Sequence, residues 1–303
     1  MDSAQPSARS SFDAREVTID EVALRGRAAD LGKRSIKNDA KRQGIAMAMS
    51  MVDLTTLEGA DTPGRVRRLC RRAISPGAGL PPVAAVCVYP RLVPVARREV
   101  DGTPVRVCAV ASGFPAGQVP LGIKLEDTKA AVEDGAEEID IVIARGSLLA
   151  GDLERVHDEI AALAEAAGPA CLKVILETGE LGSFDQIANA AWVACRAGAD
   201  FVKTSTGKVS INSTPATALC LLHVVRDYAA KTGRIVGVKC AGGIRSSKEA
   251  LHYLVLVNET LGPSWLVQSR FRIGASSLVD DLVRQMCKMQ TGRYVGFDDV
   301  VRD

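Results

Sequence analysis

Four charged residues sit inside short apolar runs of this 303-residue chain. Asp140 lies in Glu-Ile-Asp-Ile-Val-Ile, Lys173 in Cys-Leu-Lys-Val-Ile-Leu-Glu, Lys203 in Phe-Val-Lys-Thr-Ser-Thr-Gly and Lys239 in Val-Gly-Val-Lys-Cys-Ala-Gly-Gly. One such lysine alone would extend its ammonium to water, and one such Asp would bond a neighbouring backbone. Four on successive runs are different, because burying a charge is costly unless it is paired or neutralised. A reactive constellation is the better explanation. A lysine amine attacks a carbonyl only when neutral, and its ordinary pKa is about 10.4. A nearby cation and partial desolvation lower that value. Lys239, one run after Lys203, is a candidate for the cation. A fall to about 7 would raise the neutral fraction at pH 7 roughly a thousandfold. Asp140 could then move protons to and from a carbinolamine and an enamine, directly or through water. Schiff-base lyase or aldolase chemistry is the expectation.

A second pattern suits an anion. Gly242-Gly243-Ile244-Arg245 follows the Lys239 run, Gly274-Ala275-Ser276-Ser277 follows the last apolar run, and Gly207-Lys208 follows the Lys203 run. Backbone N–H groups in such loops, and at the helices that follow, can cradle a phosphate. Each pair of glycines taken alone could be an ordinary turn.

These residues need elements to place them. Apolar or β-branched runs recur at Ala48–Leu54, Ala84–Tyr89, Val105–Ala111, Glu138–Ile143, Cys171–Glu177, Asp200–Thr204, Ile235–Cys240 and Phe271–Gly274. Helical periodicity fills the intervals: Leu153, Val156, Ile160 and Leu163 form one stripe before Gly168, and Ser183 can cap a helix that ends near Gly198. Strands alternating with helices predict a parallel sheet. Eight of them in a chain this long predict a single α/β domain, a (β/α)8 TIM barrel with an N-terminal helical extension beginning near Val17. An open doubly wound sheet is the alternative, weakened because no Gly-x-Gly-x-x-Gly follows the first strand. Met1–Glu16, rich in serine, is expected to be a loose tail, leaving 17–303 as the barrel domain.

Composition narrows the function classes. Net charge is +2, which argues against nucleic acid or an anionic membrane as partner. The basic run Arg65, Arg67, Arg68, Arg71 and Arg72 reads as a solvated helix face. The eight cysteines include no Cys-x-x-Cys, and Cys87, Cys108, Cys171 and Cys240 fall in apolar runs, as buried reduced thiols do. The three histidines are scattered. The expectation is a cytoplasmic protein with no disulfide, metal or membrane span.

The chain resembles the deoxyribose-phosphate aldolase family from about Met51 to Gly292, in the longer form with extra N-terminal helices. The matching segments are Val-Asp-Leu-Thr-Thr-Leu (52–57), Ala-Val-Cys-Val-Tyr-Pro (85–90), Ser-Gly-Phe-Pro-Ala-Gly-Gln (112–118), Glu-Asp-Gly-Ala-Glu-Glu-Ile-Asp (133–140), Glu-Thr-Gly-Glu-Leu (177–181), Phe-Val-Lys-Thr-Ser-Thr-Gly-Lys (201–208), Ala-Gly-Gly-Ile-Arg (241–245) and Arg-Ile-Gly-Ala-Ser-Ser (272–277). The resemblance implies reversible cleavage of 2-deoxy-D-ribose 5-phosphate to D-glyceraldehyde 3-phosphate and acetaldehyde, with no cofactor. It implies Lys203 as the Schiff-base lysine, Lys239 as the cation that tunes it, Asp140 as acid–base partner and Lys173 as part of the charge network. By the same resemblance Asp53, Cys87 and Thr206 line the substrate pocket, with Cys87 at the mouth of strand two. Gly207, Lys208, Gly242, Gly243, Ser276 and Ser277 hold the phosphate. The partner implied is a phosphosugar, and a homodimer is common among such proteins. Departures are Ala144 where the family usually has Asn, which is expected to loosen the end of strand four. Cys240 follows Lys239 and is expected to alter packing only. The last tyrosine is Tyr294, whereas some relatives have one at the extreme C-terminus. Another lysine-dependent aldolase, a metal-dependent aldolase and a non-catalytic sugar-phosphate sensor are the competing readings.

Overall fold

The computed structural model describes residues 18–293 and 296, so the expected tail and Tyr294 lie outside the described residues. Two helices come first, α1 (Glu21–Gly32) and α2 (Asn38–Ser50). Eight strands follow, each leading into helix: β1 (Val52–Thr55) to α3 (Pro63–Ile74), β2 (Ala85–Val88) to α4 (Val93–Val100) and β3 (Arg106–Val110) to α5 (Leu121–Glu133). Then β4 (Glu138–Val142) leads to the short α6 (Arg145–Leu149) and α7 (Leu153–Ala167), and β5 (Cys171–Ile175) to α8 (Phe184–Arg196). The last three units are β6 (Phe201–Lys203) with α9 (Pro215–Thr232), β7 (Gly237–Ala241) with α10 (Ser247–Leu261) and β8 (Phe271–Ala275) with α11 (Leu278–Thr291). Neighbouring strands are parallel, and β1 pairs with β8 to close a barrel. The architecture is the expected (β/α)8 fold.

All eight expected strands form, every boundary within two residues of the expected one except the start of β1. Ala48–Ser50 belong to α2, and β1 starts only at Val52. The helical stripe Ile45, Ala48 and Met49 is buried, so those apolar residues serve a helix that runs on to Ser50 where a strand was expected from Ala48. Ser183 caps its helix as expected, and Asp152 does the same for the helix before it. The Asp152 and Ser183 side chains accept from the backbone N–H groups of Arg155 and Gln186, each at 3.2 Å, and so start α7 and α8.

Alternation along the strands sorts the side chains into two cores. Ile139, Ile141, Val174, Val202, Val238 and Ile273 point outward and join the buried cluster that includes the helices' apolar residues. Leu24, Ala28 and Leu31 of α1 are buried in the same cluster, so the N-terminal helices extend the outer core. The other parity faces the barrel axis. There the usual layers of aliphatic side chains give way to Asp53, Glu138, Asp140, Lys173, Lys203, Lys239 and Arg272, every one of them buried. Register then fixes neighbours: Asp140 lies opposite Lys173, Lys203 opposite Lys239, and Lys239 opposite Arg272. Among the described residues no helix is long and apolar enough to cross a membrane.

Candidate active site

The buried charges form one connected chain of ion pairs. At the β4–β8 level, Arg272 donates to Glu138 Oε1 at 2.8 Å and to Asp53 Oδ1 at 2.5 Å. Lys173 stands 2.6 Å from Glu138 Oε2 and donates to Asp140 Oδ1 at 3.0 Å. Lys239 bridges Asp53 Oδ2 at 2.5 Å and Asp140 Oδ2 at 2.7 Å. Lys203 donates to that same Asp140 Oδ2 at 2.6 Å. Among the buried groups four cations therefore face three carboxylates, one positive charge in excess.

That excess decides the chemistry available. Lys173 meets three carboxylates, counting Asp53 at 3.9 Å, Lys239 meets two, and Lys203 meets only Asp140. Burial works against the charged forms of Lys173 and Lys239, yet their carboxylate partners outweigh it and hold both above the ordinary lysine range. Burial likewise opposes ionised Asp140, but Lys173, Lys203 and Lys239 override it and hold the carboxyl well below its usual range. Asp53 and Glu138 are also lowered, burial being outweighed chiefly by Lys239 and Arg272 for the first and by Lys173 and Arg272 for the second. Lys203 is thus the lysine with the least carboxylate support. It is also the one of the three that opens into a cavity. Removing one proton there leaves the network electrically balanced.

The cavity, about 260 Å³, sits over the C-terminal ends of β1, β6, β7 and β8, as barrel sites do. Thr206, Gly207, Lys208, Gly242, Gly243, Ser276 and Ser277 all line it. Gly242 has φ +82°, and a side chain there would run into Asn212, so the loop after β7 needs glycine for both reasons. Thr206 is fixed by buried Glu177, which accepts from its N–H at 3.1 Å and its hydroxyl at 2.5 Å. The Lys208 ammonium reaches Glu58 across the mouth at 3.0 Å.

Other expected residues lie deeper. Asp53, Cys87, Lys173, Lys239 and Asp140 form the layer beneath the cavity floor and do not line its wall. Cys87 was expected at the mouth of strand two, but it is fully buried and packs with Leu57, Cys108 and Val110 inside the barrel. At the end of β4, before Ala144, the Val142 N–H bonds Ser112 Oγ at 3.3 Å and the Ile143 N–H bonds Ile175 O at 3.1 Å. Cys240 faces the outer cluster, where burial pushes its thiol up to about 12.

Some residues escaped the sequence reading. Arg272 and Glu138 are charged positions inside apolar strands, the signal that revealed the other four, and applying it evenly would have found them. Arg65, grouped above with a solvated face, pairs with Asp61 at 3.2 Å and lines the cavity. Nothing in a run of arginines distinguishes the one whose helix start abuts the barrel mouth.

Thiol and carboxylate atoms of Cys87, Cys108 and Asp140, and of Asp53, Cys108 and Glu138, gather within 4.8 Å of one another. The donor set fits a metal poorly, because ammonium or guanidinium groups already occupy each carboxylate.

Comparison with known proteins identifies the family. A model of the DeoC/LacD family aldolases matches residues 47–263. The deoxyribose-phosphate aldolase of Mus musculus is 44% identical over 300 residues, 94% of each chain. The human enzyme of that name is 42% identical over the same length and coverage. The tetrameric deoxyribose phosphate aldolase structure from Aeropyrum pernix is 26% identical, covers 86% of this chain and 100% of its own, and superposes with a TM-score of 0.64.

Proposed function

Because the chain belongs to the DeoC/LacD aldolase family, we propose that it is a lyase, a Schiff-base deoxyribose-phosphate aldolase. It cleaves 2-deoxy-D-ribose 5-phosphate reversibly to D-glyceraldehyde 3-phosphate and acetaldehyde. The relatives named for that substrate support the reading. The observation that carries it is Lys203 and Lys239 ending on one oxygen of Asp140, below a cavity walled by glycine-rich loops.

In this reading the phosphate rests on backbone N–H groups of Gly207, Lys208, Gly242, Gly243, Ser276 and Ser277, with the Lys208 ammonium beside it. That anchorage directs the sugar's aldehyde carbon down to Lys203. Lys203 gives up the network's excess proton and its neutral amine adds to C1, forming a carbinolamine. Loss of water yields the iminium ion, which keeps one positive charge where the ammonium stood. The electron-poor carbon then draws the C2–C3 bonding pair into an enamine as the C3 hydroxyl loses its proton, releasing glyceraldehyde 3-phosphate. Protonation at C2 and hydrolysis free acetaldehyde and restore the lysine. Asp140 accepts and returns protons through Oδ2, and Lys239 beside it favours the return of each one, so that the carboxylate is ionised again between steps. Lys173, Asp53 and Cys87 shape the layer below, and Thr206 the wall beside C1. No metal or organic cofactor takes part.

The proposal extends to a cytoplasmic enzyme of deoxyribonucleoside breakdown that pairs as a homodimer and binds neither nucleic acid nor membrane. The test is reduction with borohydride in the presence of substrate or acetaldehyde, followed by peptide mass mapping. The adduct is expected on Lys203 and absent in Lys203→Leu. An adduct on Lys239, or none from folded protein, overturns the assignment.

A further inference from the structure

Asp140 has four donors, two on each oxygen, and one of them is not a cation. Oδ2 receives Lys203 and Lys239 at 2.6 and 2.7 Å. Oδ1 receives Lys173 at 3.0 Å and the thiol of Cys108 at 3.1 Å. We propose that Cys108 is a positioning residue of the reaction, its thiol holding Oδ1 so that Oδ2 is presented to both lysines. The inference rests on the aldolase reading above.

The geometry gives the thiol a role that Lys173 does not fill alone. Lys173 is shared with Glu138, at 2.6 Å, and with the Cys108 sulfur itself, at 3.3 Å. Its hold on Asp140 is therefore divided, whereas the thiol's other polar neighbours compete only weakly for its proton. One is the sulfur of Cys87, directly across on β2, and the other is Ala109 O at 3.9 Å. Asp140, Cys108 and Lys173 are all fully buried, so no water replaces a lost donor cheaply. Burial pushes the Cys108 thiol well above its ordinary range and keeps the proton on sulfur, where it can be donated. Neutrality matters as well. A cation at 108 would add to the positive excess, and an apolar side chain would leave a carboxylate lone pair bare. A thiol orients the carboxylate without changing the charge count.

The experiment compares the whole protein with Cys108→Ala and Cys108→Ser in rate–pH profiles on 2-deoxyribose 5-phosphate, borohydride trapping and urea unfolding. In Cys108→Ala kcat is expected to fall about tenfold, the worth of one hydrogen bond to a charged group, with KM unchanged. The rising limb of its pH profile moves to higher pH, because a carboxylate stripped of that donor holds a proton and its ammonium partners more tightly. Cys108→Ser, which still donates, restores both. A Cys108→Ala enzyme with kcat within about twofold of the parent and an unmoved limb overturns the inference. So does a loss that tracks only the unfolded fraction, or one that serine fails to repair. If the parent itself gives no adduct at Lys203, the aldolase reading falls and this inference with it.

Discussion

Lys203 on β6 lies directly opposite Lys239 on β7, in register, and both ammonium groups end on Oδ2 of Asp140. Two like charges stand side by side because a carboxylate lies between them. The sequence suggested that Lys239 would act on Lys203 as a bare neighbouring cation. The structure makes the interaction three-bodied, and the number of carboxylates around each lysine is what separates their roles.

Lys203→Leu is expected to abolish the borohydride adduct and to lower kcat/KM by about three orders of magnitude or more, the scale of losing a covalent nucleophile. Steady-state kinetics and intact mass read both. Near-parental activity in this variant would remove Lys203 from the mechanism.

Asp140→Asn removes the carboxylate that three lysines share. Uncompensated buried charge is expected to cost on the order of 3 kcal/mol of folding free energy, together with loss of activity. Urea titration gives the first and substrate turnover the second. Stability equal to the parent would mean that the three ammonium groups are not charged together.

Glu58 accepts from Lys208 at the exposed mouth of the cavity. Freeing that ammonium for a phosphate, in Glu58→Gln, is expected to lower KM for the phosphorylated sugar by up to about fivefold, the range of an exposed pair. KM for unphosphorylated 2-deoxyribose stays where it was. Equal changes for the two sugars would argue that Lys208 does not meet the phosphate.

Gly274 lies in β8 beside the network, and a Cβ there would stand 2.9 Å from Ala241 Cβ and 3.3 Å from Lys239 Cε. Gly274→Ala is expected to push Lys239 off Asp140, lowering kcat at least tenfold while costing only about 1–3 kcal/mol of stability. Circular dichroism with kinetics checks the pair of outcomes.

Alkaline stability follows from the thiols. Burial pushes Cys171, Cys195, Cys220 and Cys240 up to about 12 from an ordinary 9.0. A folded pKa above the unfolded one means that stability is complete below 9 and is lost as pH climbs toward 12. Unfolding free energy should therefore hold to about pH 9 and then fall steeply, and less steeply in Cys240→Ala. On the acid side Asp140 and Glu138 are lowered, so their contribution is complete above the usual carboxylate range and declines as pH falls below it. Urea midpoints across pH report both flanks.

Much of the fold was written locally. Strand runs, the Asp152 and Ser183 caps and the alternation of helix with strand need only neighbouring residues, and the barrel follows from their number. The largest displacement, at Ala48–Ser50, arose because a buried helical stripe and a buried strand share the same composition over three residues. The lysines and Asp140 were legible because charge inside an apolar strand is costly and so informative. Arg272 and Glu138 carried that signal too.

The sequence by itself determined which residue types stand on which strand and, through a period of two, which of them face the axis. Closing the barrel decided the rest. Only when β1 meets β8 do Asp53 and Arg272 come within 2.5 Å. Only in the assembled interior does each ammonium acquire its own number of carboxylates. Ion-pair energies depend on separation and on exclusion of water, and both are properties of the packed barrel rather than of any segment. For the same reason Cys87 and Cys108 read alike as buried thiols in strands, while only one of them reaches Asp140 with a hydrogen bond.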